Sequence, residues 1–361
     1  MFRFKRKNIN FDINATERPT KHVLSVLRKI YRQGYSNPSA AYLDAQKTAE
    51  AIERARQQVA TALGCDADEI IFTSGASESN SLVQANFALD VDERSHGSLA
   101  RMPEYNGLAR IKAIPMVVSE TGEWLINEIK YFKDNQYFVD LTQAIGKVDI
   151  NLHDMPNIIF ASASGHKFGG ILGCGILYIN KNFRKTIKPL IYGTQEKGIR
   201  GGTYNVPAII CFGEAIEEAT KYREKHQEKI RQITNYIYIK IKSMGMRPIN
   251  GAPTFLYDIM GCGMPVNIRM AEPYCNVINL TFKNLSASAA VQIFDKYGIN
   301  ISAGSACHSG SEEPSEAYLA SGYSREEALR TIRISVGCNN TMREAKKFIK
   351  VLKKILDNYD I

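Results

Sequence analysis

No pair of cysteines in this sequence has a metal-binding or redox spacing. The seven, Cys65, Cys174, Cys211, Cys262, Cys275, Cys307 and Cys338, are odd in number and never fall as C-x-x-C. That argues against a disulfide framework and a structural zinc site, and no metal is expected. In a reducing compartment most of these thiols should be small buried hydrophobes. No apolar run approaches the length of a membrane span, so a helical membrane protein is excluded. The N-terminus, Met1-Phe2-Arg3-Phe4-Lys5-Arg6-Lys7, is basic but lacks the apolar stretch of a secretory signal, and a cytoplasmic location is the expectation. Low-complexity tracts and internal repeats are missing as well.

Acidic residues are in deficit. Lys and Arg number 46 against 37 Asp and Glu, a formal charge of +9. Much of the excess lies in residues 221–242 and 343–354. Apolar residues recur beneath it: Ile230, Ile233, Ile237 and Ile241 in the first, Ala345, Phe348, Leu352 and Ile355 in the second. Both read as solvated helix faces. Interleaved aromatics and a recognisable binding motif are lacking, so direct nucleic-acid binding is not expected. Attraction to an acidic protein or a tRNA stays open.

A chain of 361 residues predicts two domains. Ala45, Ala49, Ile52, Ala55 and Val59 mark one face of a helix that stops at Gly64. Strands are predicted at 69–72, 137–140, 158–161 and 174–179, separated by helical stretches. That alternation implies an α/β domain with a largely parallel sheet and its functional groups at the strand C-terminal ends. A long helix, roughly 216–244, should carry the chain out. Strands near 276–282 and 300–302, followed by helices, suggest a smaller α+β domain. Thr341 and Glu344 have capping-box spacing for the last helix. The expected division is 16–243 for the large domain, and 1–15 with 244–361 for the small one.

Chemistry gathers at the predicted strand ends. Ser164-Gly165-His166-Lys167 follows one strand. A desolvated lysine there can lose its proton and form a Schiff base with a carbonyl cofactor, although most lysines are solvated surface charges. Thr73-Ser74-Gly75-Ala76-Ser77-Glu78 follows another strand and opens a helix. It could be a phosphate site or a small-residue cap. Asp140 ends a third strand, with Gln143 three residues on. It could hold a protonated ring nitrogen or cap a helix. Phosphate turn, acidic strand end and S-x-H-K, in that order, are what pyridoxal 5'-phosphate (PLP) requires: a phosphate anchor, a partner for the pyridine nitrogen and an amine.

On these motifs the chain resembles the cysteine desulfurases, in the class V aminotransferase-like branch of fold-type I PLP enzymes. The resemblance runs through Asn14-Ala15-Thr16, Ser36-Asn37-Pro38-Ser39, 73–80, 139–147, Ser164–Lys167, Arg200-Gly201-Gly202-Thr203-Tyr204-Asn205-Val206-Pro207, Ser302–Cys307 and 332–337. It implies a fold-type I architecture: a large α/β domain with a mainly parallel sheet and a smaller α+β domain carrying the catalytic cysteine loop. It implies that Lys167 binds PLP and moves the Cα proton. Asp140 pairs with the pyridine nitrogen, and Gln143 with the ring hydroxyl. Ala76, Ser77, Ser164 and His166 hold the phosphate. Thr203 reaches the phosphate of the other subunit, which implies a homodimer. His96 stacks on the cofactor ring, and Arg333 clamps the substrate carboxylate. Asn14 and Ser119 are further substrate-side residues. Cys307, set among serines and glycines in an exposed loop, takes sulfur from L-cysteine as a persulfide, leaving alanine. A sulfur-acceptor protein is the implied partner.

The chain departs from the family in three places. Residues between Gly75 and His96, and between His96 and Asp140, are compressed. Ser119 stands where the family has a cofactor-contacting asparagine. Gly169–Leu172 replaces a stretch usually rich in Tyr, Pro and Lys. Two other readings accompany the desulfurase: a PLP-dependent lyase or aminotransferase without a persulfide, and a noncatalytic partner in a sulfur-transfer complex.

Overall fold

The structure, a computed structural model, describes residues 8–99, 111–132, 134–246, 276–304 and 313–359. The chain divides into two units: Glu17–Val117 with Leu125–Arg223, and Met1–Thr16 with Val118–Trp124 and Glu224–Ile361.

The larger unit is built on a six-stranded sheet. Its strands are β2 (Ile70–Thr73), β3 (Leu89–Val91), β4 (Ile111–Pro115), β5 (Tyr137–Asp140), β6 (Ile158–Ser164) and β7 (Gly175–Ile179), in spatial order β2-β7-β6-β5-β4-β3. β3 through β6 pair in parallel, and β7 runs against both its neighbours. β5, β6 and β7 are buried along their whole length, which is why they read as continuous apolar runs rather than alternating ones. Ile71, Phe138, Phe160 and Leu177 build one core, with Phe138 set edge-on to Phe160.

Helices α1 (Lys21–Gln33) and α2 (Leu43–Leu63) precede β2, and α3 (Ala76–Gln84) follows it. A short α4 (Ile126–Tyr131) lies between β4 and β5, and α5 (Val206–Lys221) packs on α1 and α2. α2 ends where predicted: Gly64 has φ +62, and its amide closes on Ala60 O. A side chain there would collide with Asn151, so glycine is required by both conformation and space.

The smaller unit joins β8 (Val277–Thr281) to β10 (Thr331–Ser335) antiparallel, and β1 (Ile9–Asn10) to β9 (Ile299–Asn300) parallel. Bridges at Asp12–Ser335 and Ser302–Arg333 link the two pairs. Around them lie α6 (Arg223–Lys242), α7 (Ala287–Lys296), α8 (Glu316–Ala320), α9 (Arg325–Arg330) and α10 (Met342–Tyr359). Ile230, Ile233, Ile237 and Ile241 from α6 meet Phe348 and Leu352 from α10 in one core, where Phe294 stacks on Phe348. The capping box at α10 forms: Thr341 N–H donates to Glu344, and Glu344 N–H to the Thr341 hydroxyl.

The division between the units differs from the expected 16–243, since 118–124 and 224–243 group with the smaller unit, and so does a helix. The long helix predicted over 216–244 is two helices, α5 and α6, broken at Tyr222 (φ −103, ψ 14). The cause is a change of buried face. Phe212 and Ile216 serve the larger unit, whereas the isoleucines of α6 serve the smaller. A single straight helix cannot keep both registers.

Candidate active site

In the larger unit, the turn after β2 and the end of β6 meet. Gly75 lies against Gly175 of β7, where a Cβ on Gly175 would fall 2.4 Å from Gly75 Cα. A side chain at Gly175 would therefore push the turn off the sheet. The turn opens α3 at Ala76, whose N–H donates to Ser164 Oγ at 2.8 Å. That hydroxyl keeps its own hydrogen to give to an anion. The exposed Ser77 occupies the second position of the helix, in the turn whose amides have no helical partner.

Glu78 organises the same turn. Its carboxylate accepts from Ser74 N–H at 2.8 Å and pairs with Arg200 at 2.7 Å. Burial opposes its charge, but the bonds from Arg200 and Ser74 hold the carboxyl below the usual range. Arg200 in turn lies in the segment that carries the exposed Thr203. Neither partner was legible as such, because an ion pair spanning 122 residues leaves no local signal.

β6 runs into a single 3₁₀ turn, Gly165–Lys167, so His166 and Lys167 leave the buried strand half-exposed. Burial, and then the charge of Lys167, pushes the His166 pKa down to about 4. The imidazole is neutral near pH 7 and can still donate a hydrogen bond. Asp140, at the end of β5, is paired in register with Ser162 of β6. It is 8% exposed and accepts from Thr142 N–H at 2.8 Å. Gln143 is buried too, with Lys147 Nζ donating to its Oε1 at 2.9 Å. His96 lies in the exposed loop after β3, its Nδ1 against Ser98.

In the smaller unit, Asn14, Ser119 and Arg333 are gathered by hydrogen bonds. Asn14 Nδ2 and Arg333 Nη1 both donate to the Ser119 carbonyl, at 2.9 and 3.2 Å. Arg333 Nη2 pairs with Asp12 at 2.7 Å, a partner that sequence reading missed. The guanidinium is 2% exposed, and its Nε has no hydrogen-bond partner among the described residues. A buried donor in that condition favours an incoming anion. Cys307 lies outside the described residues. Cys65, Cys174 and Cys211 are buried, and burial pushes each thiol pKa up, which makes them inert.

The donor set of the larger unit fits PLP. It offers a glycine-floored helix start with a serine hydroxyl for phosphate, a carboxylate at a strand end, and an amine in the turn that follows the neighbouring strand.

Comparison with known proteins agrees. Residues 9–102 and 109–348 match the family model "Aminotransferase class-V". The chain is 28% identical to a cysteine desulfurase IscS of Methanosarcina thermophila, over 98% of this chain and 93% of that protein. A Clostridium botulinum IscS is 29% identical, covering 97% and 94%. Among solved structures, a NifS-like protein from Rickettsia africae superposes with a TM-score of 0.82 at 26% identity, covering 97% of this chain and all of that one. A structure described as SspA in complex with cysteine gives 0.71 at 26% identity, covering 93% of this chain and all of that one. The chain belongs to the class-V aminotransferase family.

Proposed function

We propose that the protein is a PLP-dependent cysteine desulfurase that works as a homodimer. It converts L-cysteine to L-alanine and passes the sulfur to Cys307, for delivery to an acceptor protein in iron–sulfur cluster assembly or in tRNA or nucleic-acid thiolation. The observation that carries this reading is the strand-end cluster: Asp140 in register with Ser162, Ser164 at the end of β6, and His166 and Lys167 in the turn that follows it. Relatives named cysteine desulfurase along nearly the whole chain support the reaction, and the neighbour described with cysteine supports the substrate.

When bound, PLP supplies an electron sink that stabilises negative charge at the substrate Cα. The chain supplies the rest. Lys167 holds the cofactor and, once displaced, carries the Cα proton. Asp140 stabilises positive charge on the ring nitrogen, and Gln143 meets the ring hydroxyl. Ala76, Ser77, the Ser164 hydroxyl and neutral His166 hold the phosphate, joined by Thr203 of the other protomer. Arg333 holds the substrate carboxylate, its guanidinium fixed by Asp12 and by the Ser119 carbonyl that Asn14 also holds. The Cys307 thiolate takes the substrate sulfur. One Cβ–Sγ bond breaks, one S–S bond forms and Cβ gains a proton, so cysteine plus thiol gives alanine plus persulfide.

The purified protein should carry PLP with visible absorbance and form alanine from L-cysteine. Lys167→Ala should abolish both. Cys307→Ala should keep the absorbance and lose the protein persulfide, detected by mass after alkylation. A protein that cannot be loaded with PLP would sink the reading. Alanine formation without persulfide on Cys307 would point instead to a lyase.

A further inference from the structure

Helix α3 is pinned to strand β6 at two places. Ala76 N–H donates to Ser164 Oγ at 2.8 Å, and Ser162 Oγ donates to Asn80 Oδ1 at 2.7 Å. The spacings match. Four helical residues rise about 6 Å and two strand residues about 6.6 Å, and both steps return to the same face. The first contact belongs to the phosphate turn. The second buries a serine and an asparagine completely and continues outward. Asn80 Nδ2 donates to Ser98 Oγ at 2.8 Å, and Ser98 Oγ lies 2.9 Å from His96 Nδ1.

The direction of this chain of bonds is determined by one backbone group. Ser98 N–H points at His96 Nδ1 at 3.1 Å, and a backbone amide can only donate. Nδ1 is therefore an acceptor, and the neutral ring carries its hydrogen on Nε2. The Ser98 hydroxyl must then donate to Nδ1 as well and accept from Asn80. That sets the Asn80 amide with its nitrogen toward Ser98 and its oxygen toward Ser162. The Ser162 hydroxyl, on the residue in register with Asp140, must donate.

We propose that Ser162, Asn80 and Ser98 are positioning residues for His96, a directed relay from the cofactor-bearing strand that holds the His96 ring in its Nε2–H tautomer. The proposal rests on the desulfurase reading for the role of His96, but not for the tautomer. A ring locked in this form presents Nε2 as its donor. Loss of a link removes the hydroxyl bond and leaves Nδ1 with only the Ser98 backbone N–H at 3.1 Å, which holds the ring and its tautomer less firmly.

The test is long-range proton–nitrogen NMR on the full chain labelled at histidine, with and without added PLP. The six histidines keep the spectrum assignable, and His96→Gln identifies the signal. Wild type should show a single Nε2–H pattern for His96. In Asn80→Asp the introduced carboxylate only accepts, so Ser98 must turn its hydrogen inward. His96 should then leave the single-tautomer pattern. Ser98→Ala, at the loop end of the relay, leaves only the backbone N–H on Nδ1 and should shift His96 from the wild-type pattern toward mixed tautomers with an unchanged melting temperature. It should also lower kcat for alanine formation by about tenfold or more, with KM held. An Nδ1–H or mixed pattern in wild type would overturn the relay. So would an unchanged His96 signal in Ser98→Ala, which decides the matter if Asn80→Asp does not fold. If wild type makes no alanine, the desulfurase reading falls, and the tautomer result alone judges the relay.

Discussion

His166 shows how much one residue's surroundings change its chemistry. Its ordinary pKa of 6.5 drops to about 4, through burial first and the neighbouring Lys167 charge second. The unfolded chain takes up this proton near pH 6.5, and the folded chain only near pH 4. Protons therefore favour unfolding between those values. Stability from this group is complete above about pH 6.5 and is lost as pH falls toward 4. Melting temperatures of the PLP-free protein measured across that window should decline on acidification. His166→Gln should flatten that part of the decline; an equal slope in the variant would show that other groups cause it. The residue itself was legible, as were Lys167, Asp140 and Ser164, because each sits at the end of an apolar run that could only be a buried strand. Asp12 against Arg333, 321 residues away, and Asn80 against Ser98 were not. Those pairings are made by the fold, and neither residue's neighbours announce them.

At the scale of elements, the segment 193–204 between β7 and α5 is held by charge. Glu196 has φ +45, and its side chain is almost wholly buried. Arg56 of α2 meets it through two bonds of 2.8 Å, and Phe72 N–H of β2 donates to it at 2.8 Å. The left-handed backbone at Glu196 and Lys197 is tolerated because these partners over-determine it. Arg56→Met leaves a buried carboxylate without its cation and should cost about 3–5 kcal/mol, read by urea denaturation of the full chain. Adding Glu196→Gln should return part of that loss. Equal stability of wild type and Arg56→Met would show that water reaches the carboxylate. Sequence periodicity located α2 and β2 but could say nothing of this lock, since Glu196 falls in a polar stretch that reads as an ordinary loop. It also ran the last residues of α5 into α6, because both helices are amphipathic and only the buried partner of each face distinguishes them.

At the scale of the whole molecule, the alternation of strands and helices was enough to place a mainly parallel sheet before a smaller α+β part. The sequence showed less of how the chain is shared between them. Residues 118–124 group with the smaller unit although they lie inside the larger one's sequence, and seven residues are too few to carry a periodic signal. The surface of the larger unit bears on the proposed homodimer. Leu190, Ile191 and Tyr192 are exposed in succession, Tyr192 to 83%, and Leu172 is 72% exposed. Their turn is stiff: Gly201 N–H donates to Ile191 O at 2.7 Å, and a Cβ on Gly201 would lie 2.2 Å from Tyr192 O. An apolar display on a fixed backbone, its Tyr192 eleven residues before Thr203, suits a lasting contact between copies better than free solvent. Sedimentation should give twice the mass of the chain. Tyr192→Glu, which alters no core contact, should shift the protein toward monomer. It should also weaken PLP retention, because each site would lose the Thr203 of the other protomer. A monomeric wild type with full PLP occupancy would remove Thr203 from the cofactor site, while leaving Lys167, Asp140 and Ser164 in their proposed roles.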